Sequence, residues 1–311
     1  MNAKRILSPK KLANPERRSL LMHEPVLLHE VIDGLEIENG DVMLDTTLGA
    51  GGHSAAILET GKDISLIGID QDDVAVEKAK EKLSPWQSKV RIIKGNFRDA
   101  DRLLSENGIK KVSKILFDLG VSSMQLDDAT RGFSFRYDAP LSMKMSDATT
   151  FSARDIVNGW KEDDIANVIF AYGEERKART IAKAIVLARR NKPIETTFEL
   201  AGIVEKAVGK KPWSKINPST KTFQALRIAV NDELGNLRAG LLAAANICQP
   251  GGRIAVISFH SLEDRIVKNF MKDNQKKGSR ILTKKPITAT DEEISSNPRS
   301  RSAKLRIIQI S

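Results

Sequence analysis

The 311-residue chain has a single cysteine, Cys248, so no internal disulfide can form and a reducing compartment is expected. No apolar run approaches the roughly 20 residues that a membrane span needs. The N-terminus is basic but lacks the apolar centre of a secretory leader, which leaves a cytoplasmic protein as the expectation. Histidine is scarce, with 4 residues. No group of His, Cys and carboxylate residues has metal-ligand spacing, so no metal site is expected. Cys248 closes the apolar stretch Ala243-Ala244-Ala245-Asn246-Ile247-Cys248 and reads as a small core residue at a helix end, not as a nucleophile. Internal repeats and low-complexity segments are absent as well.

Positive charge, by contrast, is plentiful. Lysine and arginine number 50 against 40 acidic residues, a net charge of +10. Such a surface fits a polyanionic partner, because each neutralised phosphate releases counterions. Residues 1–22 carry Lys4, Arg5, Lys10, Lys11, Arg17 and Arg18 with little periodicity and read as a disordered basic arm. Hydrophobic residues make up 41%, enough for one large domain or two ordinary ones.

The strongest local signal is Asp45-Thr46-Thr47-Leu48-Gly49-Ala50-Gly51-Gly52-His53-Ser54. The run Val42-Met43-Leu44 before it reads as a buried strand, and Ser54-Ala55-Ala56-Ile57-Leu58 starts a helix. A second strand, Leu66-Ile67-Gly68-Ile69, ends in Asp70. A strand, a glycine loop, a helix and a second strand with an acid at its tip form a unit that binds an adenosine-bearing cofactor. A dinucleotide loop wants a third glycine where Ser54 stands, and Asp45 would repel pyrophosphate. Asp45 suits the ammonium of a methionine moiety instead. The loop therefore favours S-adenosylmethionine over NAD.

Strand and helix go on alternating. Asp72–Leu83 is helical, Val90–Ile93 is a strand, Asp99–Asn107 is a short helix, and Lys114–Leu119 is the fourth strand. Repeated βα units predict a doubly wound parallel sheet with helices on both faces. Asp45, Asp70, Phe97 and Asp118 then fall at or just past the carboxyl ends of the strands, where such sheets bind ligands. Residues 129–216 contain no clear buried strand and read as an inserted all-helical domain. Its long helix, placed at Glu174–Arg190, carries Arg176, Lys177, Arg179, Lys183, Arg189 and Arg190, either a solvated face or an RNA-facing wall. The α/β pattern resumes with helices at Thr222–Val230 and Glu233–Ile247, a strand at Arg253–Ser258, a helix at Leu262–Asn274 capped by Ser261 with Asp264, and a closing strand at Leu305–Ile310.

Several long motifs occur in order along this frame. They are His23-Glu24-Pro25-Val26-Leu27-Leu28, Gly49–Ser54, Asp118-Leu119-Gly120-Val121-Ser122-Ser123-Met124-Gln125-Leu126-Asp127 and Arg131-Gly132-Phe133-Ser134-Phe135. Tyr172-Gly173-Glu174-Glu175-Arg176, Thr222-Phe223-Gln224-Ala225-Leu226-Arg227 and Ile257-Ser258-Phe259-His260-Ser261-Leu262-Glu263-Asp264-Arg265 follow. From His23 onward the chain resembles the bacterial 16S ribosomal RNA cytosine-N4 methyltransferases, which modify a cytidine in the decoding centre. The resemblance implies a class I methyltransferase fold over 23–128 and 217–311, S-adenosylmethionine as donor, and 16S rRNA within the small ribosomal subunit as partner. It implies that Gly51, Gly52 and His53 line the cofactor loop. Asp70 would hold the ribose hydroxyls, Phe97 would pack on adenine, and Asp118 and Gln125 would complete the pocket.

Methylation of an exocyclic amine needs the amine lone pair aimed at the donor methyl and no covalent enzyme intermediate. Carbon-5 methylation would need a cysteine in a strand-end loop, and Cys248 is misplaced for that. Asp118, at the fourth strand tip, is the candidate catalytic group that accepts the amine hydrogens. Other amino-methyltransferases carry Asp/Asn-Pro-Pro-aromatic at this point, whereas Asp118-Leu119-Gly120 stands here, so Asp118 could serve mainly the cofactor. Phe133, Phe135 and Tyr137 are candidates to stack on an extruded base or to form the insert core. His260 is a candidate substrate contact or a structural imidazole. Arg299 and Arg301 sit in a loop suited to phosphate. The competing readings are an NAD dehydrogenase, an RNA-binding assembly factor on the same fold, and a methyltransferase of another nucleobase amine.

Overall fold

A computed structural model describes residues 25–146, 148–209 and 217–311. The basic arm over 1–22 lies outside the described residues, as do His23 and Glu24. The first half runs α1 (Leu28–Leu35), β1 (Val42–Asp45), α2 (Gly52–Glu59), β2 (Ser65–Asp70), α3 (Asp73–Lys82), β3 (Val90–Lys94), α4 (Ala100–Glu106), β4 (Val112–Asp118) and α5 (Ser123–Asp127). Helices α6 (Ala153–Gly159), α7 (Glu162–Gly173), α8 (Ala178–Asn191) and α9 (Thr197–Val208) follow. The chain closes with α10 (Ser219–Asn231), α11 (Glu233–Ile247), β5 (Cys248–Ser258), α12 (Ser261–Gln275), β6 (Arg280–Ile281), α13 (Asp291–Ser296) and β7 (Lys304–Gln309).

The strands form one seven-stranded sheet in the order β3-β2-β1-β4-β5-β7-β6. Strands β1 to β5 pair in parallel, and β7 runs antiparallel to both neighbours. The order reverses between β1 and β4, so a crevice opens at their carboxyl ends. The central strands are apolar along their length because both sheet faces are covered. Leu44, Ile115, Phe117 and Val256 face α4 and α11 on one side, while Met43, Leu66, Leu116 and Ile257 face α1 and α2 on the other. Gly34 lies in the last turn of α1. A Cβ there would sit 2.0 Å from Ile307 Cδ1, so the glycine lets the helix lie against β7.

A separate apolar cluster holds the helical insert together, with Ile156, Ile165, Ile169, Ile181, Ile185, Leu200 and Val204 at its centre. Helix α10, beyond the expected boundary, adds Phe223, Leu226 and Val230 to that cluster. Two element expectations need correction. The helix expected from Glu174 begins at Ala178, because Glu174 takes a left-handed conformation (φ 48°) and ends α7. Cys248 is the first residue of β5 and no longer helical, although it is buried as expected. Burial pushes its thiol up to about 12, so it carries no thiolate at neutral pH. Among the described residues no helix is long and apolar enough to cross a membrane.

Candidate active site

The glycine loop is built from hydrogen bonds at both ends. Asp45 is buried at the tip of β1, where Oδ2 accepts from Ser54 Oγ at 2.7 Å and Oδ1 accepts from the Thr47 N–H at 3.2 Å. Desolvation raises its carboxyl to about 6 against the lowering effect of Ser54. The loop then crosses to β2, where Leu48 N–H donates to the Ile69 carbonyl at 3.0 Å. The Leu48 side chain lies over Gly68, where a Cβ would come within 2.6 Å of it. Gly49 N–H donates to Asp70 Oδ2 at 2.8 Å, and Asp72 N–H donates to Oδ1 at 2.9 Å. Gly49 (φ 53°) and Gly51 (φ 76°) take left-handed conformations that a side chain would strain. Helix α2 starts at Gly52, earlier than the Ser54 read from sequence.

His53, in the first turn of α2, is buried beneath this loop. Its Nε2–H donates to the Val26 carbonyl at 3.0 Å, which leaves Nδ1 as the lone-pair nitrogen of the neutral ring. Burial pushes its pKa down, opposed by the Asp45 charge. Nδ1 lies 3.6 Å from Asp118 Oδ2. Asp118 ends β4, and its N–H donates to Thr47 Oγ1 at 2.7 Å. Its Oδ1 is buried without a hydrogen-bond partner, while the side chain as a whole is 28% exposed. Burial, helped by the negative Glu263, raises the carboxyl to about 7.

The structure thus brings Gly51, Gly52, His53, Asp70 and Asp118 to one stretch of the sheet edge. Gln125 joins them through a route that spacing alone does not reveal. Its Nε2 donates to Asp72 Oδ2 at 2.8 Å, and its Oε1 accepts from the Ser122 N–H as half of a capping box on α5. Arg131 makes a very short contact to the same Asp72 oxygen and donates to the Lys144 and Met145 carbonyls at 3.0 and 3.2 Å. Asp72 and Arg131 were absent from the candidates. Asp72 reads as an ordinary N-cap of α3, which it also is.

Phe97 lies just past β3 and is half-buried. Its ring meets Phe117 edge-on at 5.7 Å and packs on Gly240 of α11, where a Cβ would come within 2.5 Å of it. The other aromatic candidates divide. Phe133 is buried and Phe135 packs edge-on against Phe223 at 4.9 Å, both in the insert core. Tyr137 is 59% exposed.

His260, not Ser261, is the N-cap of α12. Its side chain accepts from Glu263 N–H, and Glu263 Oε2 accepts from the Phe259 and His260 N–H groups at 2.8 and 3.3 Å. Ser261 instead contacts Glu174 of the insert. Glu233, His260 and Glu263 have potential ligand atoms within 4.8 Å of one another. Arg227 holds both Glu233 oxygens at 2.7 and 2.8 Å, so a cation already sits in this group. Arg299 is paired with Asp127 at 3.0 and 3.1 Å, and Arg301 is exposed.

One electrostatic feature stands out at the crevice. Among the described residues, no lysine or arginine pairs with Asp45, Asp70 or Asp118, whereas Asp72 pairs with Arg131, Glu233 with Arg227 and Asp264 with Arg306. Unpaired acids at a strand-end crevice fit a ligand that carries positive charge, which S-adenosylmethionine does at its ammonium and its sulfonium. Asp70 uses one lone pair per oxygen on backbone N–H groups and keeps others free to accept hydrogen bonds.

Sheet order and acidic crevice together define a class I methyltransferase with an all-helical insert. Sequence comparison places it more narrowly: the model of the MraW methylase family matches residues 20–311, and the chain belongs to that family. Ribosomal RNA small subunit methyltransferase H of Deinococcus deserti is 51% identical over 290 residues, covering 92% of this chain and 92% of its own. The protein of the same name from Persephonella marina is 50% identical over 291 residues, covering 93% and 99%. Among solved structures, TrmN from Thermus thermophilus aligns with 92% of this chain and 48% of its own, at 10% identity and a TM-score of 0.44.

Proposed function

We propose that this chain uses S-adenosylmethionine to methylate N4 of one cytidine in 16S rRNA, within the small ribosomal subunit and in the cytoplasm. The reading is carried by the unpaired acidic crevice in a chain that resembles, over nearly all its length, relatives named for small-subunit rRNA methylation. Gly51, Gly52 and His53 form the cofactor loop, Asp70 holds the ribose, and Phe97 borders the adenine. Gln125 fixes the wall opposite through Asp72. The donor supplies an activated methyl group on a positively charged sulfur.

The protein's own part is to hold the amine in line and to receive its proton. Asp118 is the acceptor of the amine hydrogens, with Oδ1 free for that bond. The sheet with 23–128 and 217–311 forms the catalytic unit, and 129–216 forms the RNA-recognising unit, with α10 buried in its core. The exposed side chains Arg176, Lys177, Arg179, Lys183 and Arg190 give that unit a phosphate-facing surface. Arg189 serves the fold instead, donating to the Val157 and Trp160 carbonyls at 2.7 and 2.6 Å.

Calorimetry with S-adenosylmethionine and with NAD tests the cofactor. Binding of the first alone is expected, and binding of NAD alone would return the chain to the dehydrogenase reading. Transfer of a labelled methyl group to small subunits then separates an enzyme from an assembly factor, which would bind the subunit and leave it unlabelled.

A further inference from the structure

Asp118 differs from the other crevice acids in what holds it. Each oxygen of Asp45 and of Asp70 accepts a hydrogen bond from the protein. Asp118 Oδ1 has no partner, and Oδ2 faces the lone pair of His53 Nδ1 at 3.6 Å. Two lone-pair atoms that face each other in a buried place favour one shared proton. The ionisable groups around Asp118 add to this. Asp45 on β1 and Glu263 on α12 are acids, His53 on α2 is held neutral, and no lysine or arginine pairs with Asp118 among the described residues.

Methyl transfer from a sulfonium to an amine moves one positive charge. The nitrogen–carbon bond forms, the sulfur–carbon bond breaks with its electron pair staying on sulfur, and the positive charge passes from sulfur to nitrogen. The methylated amine then sheds that charge as one proton. We infer that Asp118 is ionised beside the charged donor, takes the amine proton as that charge is lost, and keeps it beside the neutral product until release. His53 is a positioning residue that presents the lone pair toward which the carboxylic acid turns. The inference rests on the cofactor site proposed above and assigns a proton ledger to it.

The test compares S-adenosylmethionine with S-adenosylhomocysteine, which differ in the sulfonium charge and the methyl group. Calorimetry of the full chain in two buffers of different ionisation heat, near pH 7, counts the protons released by each. The donor is expected to release up to about one proton more than the product. The ratio of donor to product affinity is expected to rise with pH, by up to about tenfold per pH unit, and to level off once Asp118 is ionised in the product complex. Asp118→Asn should abolish both effects while both ligands still bind. His53→Asn, whose amide can donate to Oδ2, should move the midpoint of the ratio to lower pH. Equal proton counts with a pH-independent ratio would overturn the inference, and an unchanged difference in Asp118→Asn would overturn its assignment to Asp118. Failure of both ligands to bind would instead refute the cofactor site. The wild-type ratio decides the matter even if Asp118→Asn does not fold.

Discussion

Gln125 donates to Asp72 Oδ2 at 2.8 Å and so joins the loop after β4 to the helix cap after β2. Arg131 reaches the same oxygen from the start of the insert. One carboxylate therefore ties the crevice wall to the domain that follows it. Asp72→Ala would leave a mostly buried guanidinium and a buried amide without their acceptor. A loss of about 3 kcal/mol in denaturant unfolding is expected, with faster proteolysis between residues 119 and 131. A loss below about 0.5 kcal/mol would mean that the contact is incidental.

Asp118 costs the fold stability at neutral pH. Burial raises its folded pKa to about 7, above the ordinary carboxyl value of 3.8, so the folded state binds the extra proton between these values. Its contribution is most favourable below pH 3.8 and declines as pH rises through 7. Asp118→Asn should raise the melting temperature at pH 8, with a gain that shrinks as pH falls toward 4. The free-energy gain is at most about 4 kcal/mol and is lowered by the exposed part of the side chain. A gain independent of pH would show that Asp118 titrates normally.

Phe97 rests on Gly240, and the glycine is there to admit the ring. Gly240→Ala would favour the helix by about 1 kcal/mol but push the ring aside. Donor affinity is expected to fall by about tenfold, or about 1.4 kcal/mol, with little net change in melting temperature. Unaltered affinity would place Phe97 in the core alone.

The exposed cations of the insert should act on RNA and not on the donor. Changing Arg176, Arg179 and Lys183 together to Glu should weaken subunit binding and reduce the salt slope by roughly 3, one phosphate contact for each lost cation. Donor affinity measured in the same preparation should stay constant. An unchanged salt slope would make these residues a solvated face.

Much of this architecture was legible because local and global signals agree. Asp45, Asp70 and Asp118 each end an apolar run, and a parallel sheet places such ends on one edge. The start of α9 carries a local signal of the same kind, the capping box of Thr196 with Glu199. The misses share a physical cause, since each depends on a partner far away in sequence. Ser261 reads as a cap, but its hydroxyl goes to Glu174 of the insert, and His260 caps α12 instead. Asp72 reads as a cap and nothing more, because Gln125 and Arg131 reach it only across the crevice. Phe133 and Phe135 could face a base or a core, and only the packing of α10 decides for the core.

The most direct trial of the account is nucleoside mass spectrometry of small subunits from cells that lack this gene, incubated with the purified protein and a methyl-deuterated donor. Deuterated N4-methylcytidine at one position of 16S rRNA is the predicted product, and it should be absent with Asp118→Ala. Label on carbon 5, on another base, or nowhere while the donor binds would contradict it.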